Sequence, residues 1–206
     1  MKLIIHTLIF VLILGCNSKK EIDKTSIDNL NLYQDFITEV SHGIISVKAD
    51  VRVVMNNPVD SWKSGQELSS DLLQVVPKTK GKVVALDSRT IAFIPENGFQ
   101  QDNTYRLTLD LGAIINDVPK DLRQFNFSVK TLKQQFNLYT QAVQSYSKDY
   151  QYIEGQLKTA DQLSLENAKQ LLEVKQKAKR VSVKFDSSIA EGTQFYFKID
   201  SIQRFE

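Results

Sequence analysis

A single thiol dominates the chemistry this chain can offer. Cys16 is the one cysteine in 206 residues. It ends a stretch, Leu3 to Leu14, that is apolar except for His6 and Thr7. Ile13-Leu14-Gly15-Cys16 fits a lipobox: aliphatic residues, a small residue, then a cysteine whose sulfur accepts diacylglycerol once a peptidase cuts in front of it. Met1-Lys2 supplies the basic start of a leader. The apolar run is too short for a transmembrane helix, which needs ~20 apolar residues to cross the hydrocarbon. Residues 1–15 therefore read as a signal peptide and Cys16 as the lipidation site. Several acyl chains on one residue give stable anchoring where a single chain is marginal. Asn17, rather than an aspartate, follows the cysteine, and by similarity to Gram-negative sorting rules this favours the outer membrane. The expected location is the cell envelope, on its periplasmic or surface face.

The remaining reactive residues are sparse. His42 is the only histidine after the leader, and its place before Gly43 suits a turn. A zinc site takes ~3–4 protein ligands, and the chain has neither the imidazoles nor the thiols for one. No Gly-x-Ser-x-Gly elbow raises the case for a serine nucleophile. Gly81-Lys82 lacks the frame of a phosphate-binding loop. Asp110, Asp117 and Asp121 match no calcium-loop spacing; they read as solvated loop acids, as do Asp71, Asp87 and Asp102. No catalytic residue, metal or cofactor is expected. The formal charge of +2 gives no field for nucleic acid, and one cysteine permits no disulfide framework within the chain.

Other conspicuous residues have structural readings. Trp62 is expected as a core or rim aromatic. Tyr146, Tyr150 and Tyr152 form a local cluster that cross-strand packing accounts for better than sugar stacking. Lys169, Lys175, Lys177, Lys179 and Arg180 are interleaved with Glu173 and Gln176, as on a solvated face.

The elements that must carry these residues are mostly strands. Asn17 to Asn31 is polar and aperiodic and reads as a tether. Leu32, Phe36, Ile37 and Val40 fit one short helix or an ordered lead-in. Val51, Val53 and Met55 then alternate with polar or smaller residues. Lys82–Leu86 and Thr90–Ile94 flank an Asp87-Ser88-Arg89 hairpin connection. Tyr105 to Leu111 and Phe125 to Val129 alternate in the same way, each burying one face. Short strands at this spacing predict a β-sandwich. After a joint at Leu132-Lys133-Gln134 come Phe136 to Thr140, Tyr150 to Leu157, a helix capped by Ser164 over Ser164 to Leu172, and strands at Arg180 to Phe185 and Thr193 to Ile202. The expected organisation is a leader over 1–15, a lipidated tether and lead-in over 16–40, a first Ig-like or macroglobulin-type sandwich over 41–131, and a second, incomplete β unit with one short helix over 135–206. Its last strand is expected to lie at an open edge.

Several stretches resemble one family. Gly43 to Lys48, Val51 to Val54, Pro58-Val59, Trp62 and Gly65 to Leu68 are similar to the amino-terminal domain of bacterial alpha-2-macroglobulin-like lipoproteins. So are Gly81 to Asp87, Thr90 to Pro95, Asp102 to Tyr105 and Phe125 to Thr131. Tyr152 to Gly155 and Thr159 to Asp161, with the following helix, resemble the second domain of those lipoproteins. The resemblance implies a non-catalytic, lipid-anchored scaffold segment of a protease-trapping protein. Its partners would be the membrane, downstream macroglobulin domains and target proteases. It implies no thioester, since Cys16 is already assigned. The alternatives are a stand-alone Ig-like adhesion lipoprotein of the surface, or a gene fragment without independent function. None of these readings makes the chain an enzyme.

Replacing Cys16 with serine is expected to abolish incorporation of radioactive palmitate and to leave the precursor uncut. Continued labelling would move the anchor elsewhere.

Overall fold

A computed structural model describes residues 26–204. The leader, Cys16 and the start of the tether lie outside the described residues. A 3-10 helix, Ser26–Tyr33, leads into nine strands: β1 (Ile37–Val40), β2 (Gly43–Ile45), β3 (Val51–Met55), β4 (Gln66–Leu68), β5 (Leu73–Val76), β6 (Gly81–Ala85), β7 (Thr90–Pro95), β8 (Thr104–Asp110) and β9 (Gln124–Thr131). A one-turn helix, α1 (Leu111–Ile114), follows β8 and is capped by Asp110, whose carboxylate accepts from the Ala113 N–H at 3.1 Å.

These strands make two sheets, β1-β3-β7-β6-β4 and β2-β9-β8-β5. The period-two residues face each other across the gap. Val51, Val53, Met55, Ile91 and Phe93 on one sheet meet Leu73, Tyr105, Leu107, Leu109, Phe125 and Phe127 on the other, in one buried cluster that also holds Trp62. Fully burying each such side chain contributes roughly 1.5–3 kcal/mol. The sandwich expected from the alternation is present, and Trp62 is part of its core.

Of the two readings of the entry segment, the structure shows the ordered lead-in, a 3-10 helix followed by a strand. Ile37 and Val40 are both buried although three residues apart, because a register shift between Ile37 and Glu39 inserts a bulge into β1. A bulge turns a period-two pattern into a spacing that mimics one helical turn. Tyr33 fastens this segment: its hydroxyl donates to the Gln124 carbonyl at 2.8 Å, and its ring meets Phe125 edge-on at 4.8 Å.

The second unit contains β10 (Phe136–Thr140), β11 (Gln144–Ser145), β12 (Tyr150–Ser164), α2 (Leu165–Gln170), β13 (Val174–Gln176), β14 (Lys179–Val181), β15 (Val183–Phe185) and β16 (Glu191–Gln203). Its main sheet runs β10-β12-β16-β15, with β11 paired to β12 and a separate β13-β14 hairpin. Ser164 caps α2 by accepting from the Asn167 N–H at 3.3 Å. Leu165 and Ala168 of α2 pack with Val174 and Val181 of the hairpin on Leu157, Phe195, Phe197 and Ile199. One face of the sheet is therefore dry. The last strand, β16, lies between β12 and β15, which corrects the expectation that it would be an open edge. The fifteen-residue length of β12 lets β16 pair along it, and this places Phe195, Phe197 and Ile199 in the dry core of the unit. The edges of the main sheet are β10 and β15 instead.

The two sheet systems join through Asp161. A register shift between Lys158 and Leu163 bulges β12 and turns this aspartate toward the first sandwich. Its carboxylate accepts from the Val47 N–H at 2.7 Å and the Gln162 N–H at 2.8 Å. Its own N–H donates to the Gln134 side-chain carbonyl at 3.0 Å, and its carbonyl accepts from the Gln134 amide at 3.1 Å. Asp161 is only 4% exposed, and an aspartate is rarely buried so far unless its oxygens are satisfied. A Lys48–Glu191 ion pair crosses the same joint.

The β6–β7 connection depends on Asp87. Its carboxylate accepts from the Arg89 N–H at 2.7 Å, the Thr90 N–H at 2.8 Å and the Thr90 hydroxyl at 2.9 Å. The Arg89 N–H bond, then the Thr90 hydroxyl, hold its pKa below the usual carboxylate value. A group depressed in the folded state stabilises it above the ordinary pKa of about 3.9, and that contribution is lost as pH falls through the folded value. The thermal midpoint is expected to fall as the pH is lowered from about 5 towards 2. In the Asp87→Asn variant the midpoint is expected to be lower at neutral pH and to fall less steeply. Parallel curves for the two proteins in a melting series across that range would contradict the assignment.

Candidate functional site

The second sheet has a face that nothing covers among the described residues. Register fixes what it presents. Tyr139 of β10 pairs with Gln156 of β12, which pairs with Tyr196 of β16. Directly opposed residues point to the same side of a sheet, so these three form a row across it. One row over lie Asn137, Lys158 and Gln194, and on the other side Glu154, Lys198 and Lys184. The alternate residues, Leu157, Phe195 and Phe197, are those under α2 and the hairpin.

Tyr139 is 54% exposed and Tyr196 51%, so each ring is half embedded in its neighbours and half open. The two stand two strand spacings apart, roughly 9.6 Å. Between them the Gln156 amide donates to the Gln194 side-chain carbonyl at 3.1 Å. The Lys158 ammonium lies 5.4 Å from the Tyr139 ring centre and that of Lys198 lies 4.0 Å from the Tyr152 ring centre, within the range of cation–π attraction. An open groove of about 560 Å³ runs along this region and is walled by Tyr139, Gln156, Glu154, Tyr196, Lys198 and Lys184.

Its far end is polar. The Tyr146 hydroxyl donates to Asp200 at 3.2 Å, and Lys184 pairs with the same carboxylate at 2.9 Å. The Lys184 hydrogen bond, and then the Ser201 N–H, hold the Asp200 carboxyl below its ordinary value. Asp200 in turn raises Lys184. Both therefore stay charged across neutral pH. Ser201 has a φ of +58° and sits where β16 bulges opposite Gln151 and Ile153.

The floor tolerates no change at Gly155. A Cβ there would come within 2.3 Å of Phe197 Cζ and 2.7 Å of the Tyr139 carbonyl oxygen. The Phe197 ring lies over the missing side chain on the dry face, as an aromatic does over a glycine in a paired strand.

The residues singled out from sequence fall as follows. His42 is exposed in the turn between β1 and β2. Asp110 caps α1, Asp102 pairs with Lys130 at 3.2 Å, and Asp117 occupies a turn with a φ of +64°. Among the described residues no three His, Cys, Asp or Glu side chains gather as a metal would require. Lys169 pairs with Glu166, while Lys175 and Arg180 share Glu173. Of the tyrosines expected to cluster, the Tyr146 and Tyr152 rings meet in a tilted pair at 5.9 Å. Tyr139 and Tyr196 lie far apart in sequence. Only the long-range register brings them beside Gln156, and their one signal in sequence was an aromatic on the polar side of each alternation.

No family model and no curated protein matches the sequence. The fold is similar to L,D-transpeptidase 3 from Mycobacterium tuberculosis in complex with a faropenem-derived adduct, at 14% identity and a TM-score of 0.31, over 59% of this chain and 46% of that one. It is also similar to an L,D-transpeptidase from Mycobacterium tuberculosis H37Rv at 11% identity and a TM-score of 0.33, over 74% and 59%. An LD transpeptidase in complex with imipenem gives 10%, 0.32, 75% and 55%. The chain thus spans about half the length of the structures it matches. The expected membership of the alpha-2-macroglobulin-like lipoproteins, and with it the protease-trap scaffold, is withdrawn: no family model or curated protein matches, and the structures found are transpeptidases. The expectation that the chain is not an enzyme is withdrawn with it. The strands that carried the resemblance are features of many unrelated sandwiches. A likeness this loose transfers neither activity nor residues from the transpeptidases.

Proposed function

We propose that this is a lipid-anchored envelope protein that holds a polysaccharide strand against the open face of its second sheet. Cys16 supplies the anchor, the first sandwich sets the face away from the bilayer, and the tyrosine rows make the contact. The observation that carries the reading is the Tyr139–Gln156–Tyr196 row, in which two half-exposed rings flank an amide.

Tyrosine combines an apolar ring face with a polar tip. Sugar rings have the matching character, with apolar C–H faces and hydroxyl rims. Two half-exposed rings about two strand spacings apart suit alternate sugar units of one extended chain, and Gln156, Gln194 and Asn137 supply both donors and acceptors for the hydroxyls between them. A protein partner fits less well, because lysine and the acids are depleted at protein interfaces and Lys158, Lys198, Lys184 and Glu154 all stand in this face.

Co-sedimentation of the soluble mature domain with insoluble β-linked polysaccharides, chitin and cellulose among them, tests the reading. At least one is expected to retain the protein. Tyr139→Ala and Tyr196→Ala are each expected to weaken retention by about 2- to 10-fold, the worth of one stacked ring at roughly 0.5–1.5 kcal/mol. Lys63→Ala, on the first sandwich, should leave it unchanged. Retention of none of the polymers, or equal retention of all variants, would contradict the proposal.

A further inference from the structure

The edges of the sheets are not treated alike. A strand edge offers unpaired N–H and C=O groups, and soluble proteins blunt it by shortness, charge, proline or a bulge. β1 carries Glu39 and a bulge. β4 is three residues long and its Glu67 pairs with Lys82. β2 is three residues long, β5 runs into Pro77, and β15 is three residues long with Lys184 at its centre. β10 has none of these guards among the described strands. It is five residues long, Phe-Asn-Leu-Tyr-Thr, and every one of them is exposed. No charged residue occurs between Lys133 and Lys148, in a chain that is 24% charged.

Hydrogen bonding says which groups of β10 are open. The Ala160 N–H donates to the Gln135 carbonyl and the Gln141 N–H to the Glu154 carbonyl, each at 2.8 Å. Bonded pairs alternate along an antiparallel ladder, so Asn137 and Tyr139 turn their backbone groups toward β12. Phe136, Leu138 and Thr140 turn theirs outward. On the dry side of the sheet, Phe136 is 55% exposed and Leu138 47%, lying beyond the cover that α2 provides.

We infer that β10 pairs with β10 of a second copy of this chain, antiparallel about a two-fold axis at Leu138. In that register Leu138 bonds its own counterpart and Phe136 bonds Thr140 of the other copy, so each outward N–H and C=O finds a partner. The absence of charge is what the self-pairing requires, since any charged side chain on the strand would meet itself or a near neighbour across the axis. Leu138 would lie against its counterpart, and Phe136 against the methyl of Thr140. The two main sheets become one, and the tyrosine faces of both copies become continuous. A two-fold pairing of this kind is isologous and closes, giving a dimer and not a fibre. One strand pair makes a small interface, below the standard size of about 1,600 Å², so the dimer is concentration-dependent in solution. The inference stands independently of what the tyrosine face binds.

Register-specific cross-linking tests it. In the mature chain with Cys16→Ser, Leu138→Cys is expected to oxidise to a disulfide-linked dimer, because directly paired Cα atoms lie about 5.5 Å apart. Thr140→Cys is expected not to, because its counterpart is four residues out of register, well beyond the ~7 Å limit for a disulfide. Leu138→Pro removes an outward N–H and leaves the bonds to β12 in place. It is expected to weaken association at least tenfold in sedimentation equilibrium while keeping a native circular-dichroism spectrum. Should Leu138→Pro fail to fold, the cysteine pair alone decides. Equal cross-linking at 138 and 140, cross-linking at neither, or a folded Leu138→Pro protein that associates like the parent would overturn the pairing.

Discussion

The second sheet has apolar cover for only one of its faces. Helix α2 and the β13-β14 hairpin together seal Leu157, Phe195, Phe197 and Ile199, and among the described residues nothing lies over the other side. A sheet solvated on one face is a normal outcome for antiparallel strands, which then alternate apolar and polar residues. Here the wet side carries lysines, glutamines and acids, as that rule requires, but also Tyr139, Tyr146, Tyr152 and Tyr196. Tyrosine can occupy a wet face at little loss because its hydroxyl remains hydrated or bonded while part of its ring is shielded by neighbours. Placing several of them where a serine or threonine would serve the fold equally well concentrates contact area at one surface.

Two irregularities let this sheet serve in the larger molecule. The bulge in β12 sends Asp161 out of the ladder and into the joint, where Val47 and Gln134 receive it. The bulge in β16, marked by Ser201, places Asp200 within reach of both Tyr146 and Lys184. Each bulge adds residues to one strand without a partner on the next, which re-aims a side chain while leaving the rest of the register intact. The joint is consequently made of directional hydrogen bonds to a buried carboxylate. Loss of that carboxylate would leave the Val47 N–H without its acceptor, at a cost of about 1–3 kcal/mol. The face is thus held at a defined angle to the first sandwich.

Much of the fold is legible in the sequence. Alternation identifies β3, β8 and β9, where buried and more exposed residues largely alternate, while β6 and β7 show as continuous apolar runs because they are buried on both faces, and Ser164 marks the start of α2 through its side-chain oxygen. Short strands such as β4, β11 and β13 escape, since two or three residues cannot establish a period. β1 escapes because its bulge imitates helical spacing. The position of β16 inside the sheet, and so the identity of the open edge, depends on pairing between segments some forty residues apart, and no local pattern encodes that. The same limit hid the candidate site. Tyr146, Tyr150 and Tyr152 are neighbours in sequence and were visible as a cluster. Tyr139 and Tyr196 become neighbours of Gln156 only through register. The misleading resemblance has a related origin: a hairpin closed by proline and a Phe-x-Phe strand report the shared physics of sandwiches and not common descent.

The account depends most on the open tyrosine row being a contact surface. Nitration of the folded protein with tetranitromethane, read residue by residue by mass spectrometry with and without a retained polysaccharide, examines it directly. Free protein is expected to be modified at Tyr139 and Tyr196 and spared at Tyr105, whose ring lies in the first core. Saturating polysaccharide is expected to protect Tyr139 and Tyr196 together. Resistance of both residues in the free protein, or unchanged modification of both when the polymer is bound, would contradict the account.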